Sequence, residues 1–170
     1  MGFTLVLGGA RSGKSDLALR LAGESGCAVT FIATATAGDE EMSARIDRHR
    51  EARPGDWPTV EAPIDLCAAI HSAPEGDFVV VDCLTLWVSN LLGAGRSADE
   101  VTALALDAAQ EMSPRLGVVV SNEVGLGIVP ANALGRTYRD VLGAVNRIFA
   151  DRSERSVLMV AGRALDLKTP

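Results

Sequence analysis

A glycine-rich loop near the start of the chain constrains the fold more than any other feature. Its sequence is Gly8-Gly9-Ala10-Arg11-Ser12-Gly13-Lys14-Ser15, and it lies between an apolar run and a helical pattern. The loop matches G-x-x-x-x-G-K-[ST], the phosphate-binding pattern. Glycines let the backbone curl so that successive N–H groups face one anion, and a helix beginning at Lys14 directs its positive end at that anion. The sequence therefore predicts a protein that binds a nucleoside triphosphate.

The use of lysine along the chain supports this interpretation. Only Lys14 and Lys168 are lysines among the 16 basic residues, and the other 14 are arginines. The chain therefore keeps a lysine at the one position where the loop requires it. Lys14 is expected to reach the β- and γ-phosphates, and the Ser15 hydroxyl is expected to ligate Mg²⁺.

Length and composition exclude several classes of protein. A chain of 170 residues is expected to form one domain, residues 1–170, and 48% hydrophobic with 22% charged residues is typical of globular proteins. The net charge of −6 argues against a nucleic-acid partner. No apolar run approaches the roughly 20 residues of a membrane span. The N-terminus lacks a signal peptide pattern and the three cysteines form no C-x-x-C pair, so we expect a cytoplasmic protein with reduced thiols.

Strand and helix patterns alternate along the sequence. Strands are predicted at 3–7, 28–33, 77–82 and 116–121, with 156–160 as the last strand, and residues 57–61 are predicted to be a short extended piece. Helices are predicted at 14–22, 39–52, 64–71, 84–92, 98–112 and 132–151. This alternation predicts an α/β fold, a three-layer P-loop NTPase-like domain with a mostly parallel sheet.

Asp82 ends the clearest strand pattern, Phe78-Val79-Val80-Val81. An apolar strand that ends in an acid resembles the Walker B element, whose carboxylate holds Mg²⁺. The alternative is that Asp82 caps a helix or is an exposed loop acid. The presence of a phosphate loop earlier in the chain favours the first interpretation.

Several segments together carry a resemblance to one enzyme family. They are the phosphate loop, Ala33-Thr34-Ala35, Asp39-Glu40-Glu41-Met42 with Arg45-Ile46 and His49, Arg53-Pro54 with Trp57, Asn122 through Pro130, and Arg139-Asp140 with Asn146. They resemble the adenosylcobinamide kinase/adenosylcobinamide-phosphate guanylyltransferase family, which comprises bifunctional enzymes of cobalamin biosynthesis. The match spans nearly the whole chain. The stretches N-E-V-G-x-G-I-V-P and R-I-x-x-H are its most specific parts.

The resemblance implies two reactions. ATP or GTP phosphorylates adenosylcobinamide, and GTP then transfers GMP to that phosphate, which gives adenosylcobinamide-GDP and pyrophosphate. It implies that His49 carries the guanylyl group, that Lys14 is catalytic and that the enzyme is a homotrimer. The implied nucleotide contacts are Gly8, Gly9, Ala10, Arg11, Ser12, Gly13, Lys14, Ser15, Ala33, Thr34, Ala35, Arg50, Glu51, Ala52, Arg53, Glu61 and Asp82. The implied Mg²⁺ ligands are Ser15 and Asp82.

Two positions depart from the pattern of some members. Arg48 stands where they have a second histidine, which removes a rival nucleophile and favours His49. Asp82 stands where they have glutamate, which shortens the side chain and keeps its charge. The only other histidine, His71, lies among apolar residues and is predicted to be structural.

The residues alone leave two alternatives open. One is a different small-molecule P-loop kinase, which would use Lys14, Ser15 and Asp82 without His49. The other is a nucleotide-dependent switch, although the guanine-reading N-K-x-D pattern is missing. For the base that accepts the proton of the substrate hydroxyl, Glu123 and Asp82 are both candidates.

Overall fold

A computed structural model describes residues 2–38, 40–51 and 53–168 of the chain. Within those ranges strands and helices alternate, as the sequence predicts. The strands are β1 (Phe3–Gly8), β2 (Val29–Ala33), β3 (Thr59–Glu61), β4 (Phe78–Asp82), β5 (Gly117–Val120), β6 (Arg155–Val160) and β7 (Arg163–Leu167). The helices are α1 (Lys14–Glu24), α2 (Glu40–Glu51), α3 (Leu66–Ser72), α4 (Leu84–Gly93), α5 (Ala98–Met112) and α6 (Ala133–Arg152).

These strands form one sheet in the order β3-β2-β4-β5-β1-β6-β7. Neighbouring strands from β3 to β6 are parallel, and only β7 runs antiparallel to its neighbour β6. Parallel strands need crossover connections, and the helices provide them. The carboxyl ends of β1, β2, β4 and β5 therefore lie at one edge of the sheet.

Alternate residues of each central strand pack against opposite layers of helices. Phe3, Leu5 and Leu7 of β1 belong to a core shared with α3, α4, α5 and α6. Val6 belongs to a second core with Leu17, Ala18 and Ala22 of α1. A strand that is covered on both faces must be apolar on both, which is why β1, β4 and β5 read as continuous apolar runs.

The predicted fold class is confirmed, with one correction at the end of the chain. We predicted that residues 156–160 are the last strand, but β7 follows after a two-residue turn. Ala161 and Gly162 both have positive φ, 50° and 73°, as a type I′ hairpin turn requires. Alanine is uncommon at such a position, so the turn signal is weak in the sequence.

The predicted helix 39–52 appears as α2, and its end residues Asp39 and Ala52 lie outside the described residues.

A buried polar network joins the end of β5 to α6. The Ser121 hydroxyl donates to Asn146 Oδ1 at 2.6 Å, and Asn146 Nδ2 donates to the Asn122 carbonyl at 2.9 Å. Ser121 is fully buried and Asn146 nearly so. A further bond, from the Asn122 N–H to Thr85 Oγ1 at 2.8 Å, reaches α4. This network fixes where the loop after β5 leaves the sheet.

Of the helices within the described ranges, none has both the length and the apolar character that crossing a membrane would require.

We expect Asn146→Ala to lower the free energy of unfolding by about 1–3 kcal/mol, because it leaves the buried Ser121 hydroxyl without its acceptor. Urea unfolding measures the change. Arg147→Ala, at the exposed neighbouring position, is the control and should change stability by less than about 0.5 kcal/mol. Equal effects of the two substitutions would contradict a stabilising role of the network.

Candidate active site

The phosphate loop connects β1 to α1. Gly13 is the residue before the helix and has φ 93°, a conformation that glycine adopts without strain. Lys14 begins α1, is only 8% exposed, and donates from Nζ to the Gly9 carbonyl at 2.6 Å. The loop thus curls around its own lysine at the N-terminus of a helix, which is the geometry that binds phosphate.

Gly8 is the point of closest packing in this loop. A Cβ atom built on Gly8 would lie 2.5 Å from the Met159 carbonyl oxygen of β6 and 2.7 Å from Ser12 Oγ. Its φ of +153° is also one that other residues rarely adopt. Gly9, by contrast, has open space where a Cβ would lie. Gly8 is therefore required by both space and conformation.

The β6–β7 turn supports the loop from the other side. The Gly162 N–H donates to the Ser12 carbonyl at 3.0 Å. We did not assign this turn from the sequence. The alternation of apolar and charged residues from Leu165 to Lys168 was the available signal.

A single row across the sheet brings together three of the predicted site residues. Ala33 of β2 pairs with Glu61 on one side and with Asp82 on the other. Asp82 pairs with Val120 of β5, and Val120 pairs with Val6 of β1. Two strand spacings of about 4.8 Å separate β4 from β1, so Asp82 lies about 10 Å across the sheet from the strand that leads into the phosphate loop.

The last turn of α2 contacts both acids of this row. His49 Nδ1 lies 3.8 Å from Asp82 Oδ2, and Arg50 Nη2 lies 3.6 Å from Glu61 Oε1. Consecutive residues of α2 therefore contact the acids on either side of β2. The structure thus brings two adjacent residues of α2 together with Glu61 of β3 and Asp82 of β4.

Arg53 is close to the same group of residues. Its guanidinium carbon is 3.9 Å from the centre of the Phe31 ring, a cation–π contact. Burial lowers the pKa of Arg53, as does the nearby charge of Arg50, while Asp82 raises it. Arg53 Nη1 and Ser12 Oγ are buried and have no hydrogen-bond partner among the described residues. Two such donors fit a site for an anionic ligand, because a buried donor without an acceptor is costly.

Thr34, which the resemblance implies as a nucleotide contact, forms several hydrogen bonds within the protein. It is fully buried, and its hydroxyl donates to the Cys83 carbonyl at 2.7 Å and accepts from the Cys83 N–H at 2.9 Å. Its own N–H donates to the Asp82 carbonyl at 3.1 Å. Asn90 Nδ2 donates to the Thr34 carbonyl at 2.8 Å. The polar groups of Thr34 therefore hold the end of β4, a role that no sequence pattern indicated.

Cys83 is not a nucleophile in this arrangement. Burial raises the pKa of its thiol to about 11, and the charge of Asp82 adds to this increase. The thiol is therefore protonated at neutral pH, and thiolate chemistry is unfavourable.

The loop after β5 lies against the start of the phosphate loop. The Glu123 N–H donates to the Gly8 carbonyl at 3.2 Å, and the Glu123 carboxylate accepts from the Gly125 N–H. Beyond it, the apolar side chains of Leu126, Ile128 and Val129 are exposed. Glu123 thus lies beside the phosphate loop, whereas Asp82 faces His49.

The other predicted site residues differ in exposure. Four of them are exposed: Gly9, Ala10, Arg11 and Glu51. Three are half-buried: Ser15, Ala33 and Ala35. Ala52 lies outside the described residues. His71, which we predicted to be structural, is exposed and pairs with Glu111 at 3.1 Å.

The fold and this loop define an α/β P-loop nucleotide-binding protein. Residues 4–167 match the family model described as cobinamide kinase / cobinamide phosphate guanyltransferase. The chain belongs to this family. The predicted kinase and guanylyltransferase activities, and the place in cobalamin biosynthesis, are thereby confirmed at the level of the family. The two alternatives, a different kinase and a switch, are set aside.

Sequence similarity to known proteins extends over nearly the whole chain. A bifunctional adenosylcobalamin biosynthesis protein, CobP of Pseudomonas aeruginosa, is 50% identical over 168 residues, with 96% of each chain covered. The proteins named CobU from Escherichia coli and Salmonella typhimurium are 40% and 37% identical, with 96% of this chain and 98% of each relative covered.

Solved structures show the fold alone. A protein of Pyrococcus horikoshii has a TM-score of 0.58 at 9% identity, covering 99% of this chain and 86% of its own. The flagellar accessory protein FlaH of Methanocaldococcus jannaschii has a TM-score of 0.52 at 14% identity, covering 98% and 78%.

We expect Gly8→Ala to lower the free energy of unfolding by about 1–3 kcal/mol and to weaken GTP binding, because its Cβ would overlap the Met159 carbonyl. Gly9→Ala is the matched control, since nothing lies near its Cβ position, and it should leave the stability of the nucleotide-free protein unchanged. Urea unfolding without nucleotide and calorimetric titration with GTP measure the two effects. A similar loss of stability in both variants would show that the close packing at Gly8 is not the cause.

Proposed function

We propose that one nucleotide site serves two reactions in succession. The first phosphorylates the hydroxyl of adenosylcobinamide with ATP or GTP, and the second transfers GMP from GTP to that phosphate through a guanylyl group on His49. The position of His49 carries this proposal, because the residue faces Asp82 at the sheet edge that also holds the phosphate loop. The substrates are small molecules, as membership of the family indicates.

In the kinase reaction, the phosphate loop binds the triphosphate and Lys14 offsets charge on the transferring phosphoryl group. The substrate oxygen attacks the γ-phosphorus, the bond to the β-phosphate oxygen breaks, and the nucleoside diphosphate leaves. Glu123 is the better candidate for the base that accepts the hydroxyl proton, because its N–H is bonded to Gly8. Asp82, the other candidate, contacts His49 instead.

Ser15 and Asp82 are the proposed protein ligands of Mg²⁺, directly or through water. Hydroxyl and carboxylate oxygens are the donors that Mg²⁺ prefers. Among the described residues no cluster of three or more His, Cys, Asp or Glu side chains could hold a metal ion. A site with so few protein ligands suits Mg²⁺, which usually takes its other ligands from phosphate oxygens and water. The bound ion would supply charge stabilisation for the phosphates.

In the guanylyl reaction, a ring nitrogen of His49 attacks the α-phosphorus of GTP and pyrophosphate leaves. An oxygen of adenosylcobinamide phosphate then attacks the same phosphorus, the P–N bond breaks, and adenosylcobinamide-GDP leaves. A covalent intermediate divides one transfer into two easier steps. Ser12 Oγ and Arg53 Nη1 are proposed to donate to phosphate oxygens, which would satisfy both buried donors.

The cytoplasmic location, the homotrimer and the lack of a nucleic-acid partner remain predictions. The exposed apolar residues Leu126, Ile128, Val129 and Leu134 support self-association, because an apolar patch of this kind commonly marks an interface.

We expect His49→Ala to abolish the protein label formed from α-labelled GTP and to reduce guanylyltransferase activity by about 10³-fold or more, because no group remains to carry GMP. Kinase activity, measured as phosphorylated adenosylcobinamide with ATP as donor, should persist. His71→Ala removes the other histidine and should keep both activities. Equal loss of both activities in folded His49→Ala protein would contradict a dedicated guanylyl carrier.

We expect Glu123→Gln to reduce kinase activity by about 10²–10⁴-fold, because the amide cannot accept the proton of the hydroxyl. The rate of formation of the guanylyl-protein from GTP should change little, since that step needs no base for the substrate hydroxyl. Rapid-quench assays of each half-reaction, with chemically phosphorylated adenosylcobinamide for the second, separate the two effects. An unchanged kinase rate would exclude Glu123 as the base.

A further inference from the structure

The guanylyl carrier proposed above has two ring nitrogens, and their surroundings differ. Nδ1 of His49 lies 3.8 Å from Asp82 Oδ2. Nε2 is on the opposite edge of the ring, and among the described residues it has no hydrogen-bond partner. The His49 side chain is 40% exposed, and that of Asp82 is 19% exposed. A substrate phosphorus can therefore approach Nε2 without breaking a hydrogen bond to the described residues, whereas Nδ1 lies on the side of the ring nearest the carboxylate.

Asp82 is well fixed for a role in orienting this ring. Its carbonyl accepts from the Thr34 N–H at 3.1 Å, and the next residue, Cys83, exchanges two hydrogen bonds with the Thr34 hydroxyl. Asn90 of α4 holds the Thr34 carbonyl at 2.8 Å. The backbone of Asp82 is thus tied to β2 and, through Thr34, to α4. A carboxylate on a rigid backbone can hold one edge of an imidazole ring in place.

We propose that Asp82 is a positioning residue: its carboxylate lies 3.8 Å from Nδ1 of His49 in this structure, and it accepts a hydrogen bond from Nδ1–H when the ring closes that gap during the reaction, so that Nε2 is the atom that carries the guanylyl group. The inference rests on the proposed function of His49. The Nε2 lone pair forms the bond to the α-phosphorus, and the bond from that phosphorus to the β-phosphate oxygen breaks as pyrophosphate leaves. The proton on Nδ1 stays in place. The ring becomes positively charged, and the adjacent carboxylate stabilises that charge.

This role is compatible with a contribution of Asp82 to the metal site. An ionised carboxylate has two oxygens and about four acceptor positions. A hydrogen bond from His49 uses one of these positions, so it does not by itself exclude a contribution of Asp82 to a metal site. The carboxylate can therefore connect the histidine to the phosphate site.

The linkage isomer of the labelled protein tests the inference. The protein is labelled with α-³²P GTP, the nucleoside is removed by periodate oxidation and β-elimination, and alkaline digestion releases phosphohistidine. Chromatography against standards should identify the isomer phosphorylated at Nε2. The isomer phosphorylated at Nδ1 would overturn the inference while leaving the guanylyl-histidine mechanism intact. A wild-type protein with no label would instead refute the proposed function, and this inference with it.

Variants at Asp82 separate positioning from a general structural effect. Asp82→Ala should slow label formation by about tenfold or more and should yield a mixture of the two isomers, because the ring is free to turn. Asp82→Glu restores the carboxylate and should restore the Nε2 isomer. Asp107→Ala, which removes an exposed acid of α5 outside the site, is the control and should leave the isomer unchanged. Label formation in Asp82→Ala at the wild-type rate and with the same isomer would overturn the inference.

The tautomer of His49 can also be measured by NMR in protein without substrate. This test still applies if Asp82→Ala forms too little label for the isomer to be identified. In the His71→Ala protein, His49 is the only histidine, so ¹⁵N–¹H correlation spectra of ¹⁵N-histidine protein report on a single ring. At a pH where the ring is neutral, the spectra should show the proton on Nδ1. When Asp82→Ala is introduced into the same protein, the ratio of the Nδ1–H to the Nε2–H tautomer of His49 should change. A proton on Nε2 in the presence of Asp82 would overturn the inference.

Discussion

The alignment of parallel strand ends is the constraint on which the site depends. Backbone pairing sets Glu61, Ala33, Asp82, Val120 and Val6 in one row, so the acids and the phosphate loop occupy a common edge. A slip of one residue would exchange the side chains that pack into the two different cores on either face of the sheet, so the fit of each core favours one register. The positions of the acids relative to the phosphate loop therefore follow from packing of the core.

Polar contacts then fix the loops that leave this edge. Thr34 ties the end of β4 to β2, Asn146 ties the end of β5 to α6, and Gly162 bonds the phosphate loop at Ser12. Each contact pairs a backbone carbonyl, that of Cys83, Asn122 or Ser12 respectively. Asn146 and Gly162, which are not among the predicted nucleotide contacts, thus help to hold the site, which suits chemistry that depends on accurate positioning.

The proposed shared site can serve both activities of the family because both reactions need the same phosphate-binding groups. Both reactions begin with a nucleoside triphosphate, and both produce a leaving group that carries negative charge on phosphate oxygens. A loop that binds phosphates can serve a γ-phosphoryl transfer and also hold the pyrophosphate of a guanylyl transfer. In the proposed mechanism the second reaction adds His49, and α2 brings this residue to the same edge as the loop.

The sequence by itself determined the phosphate loop, the alternation of strands and helices, and several helix boundaries, because these are local patterns. For example, α5 spans Ala98–Met112 as predicted, with a capping box from Ser97 and Glu100. Only the tertiary structure decided that Thr34 holds Asp82, that Asp82 faces His49 Nδ1, and that β7 extends the sheet. The first two are contacts between distant segments, and residue identity does not reveal which atoms of such segments meet. The third depends on Ala161 in a positive-φ conformation, which the packing of the hairpin imposes against the local preference of alanine.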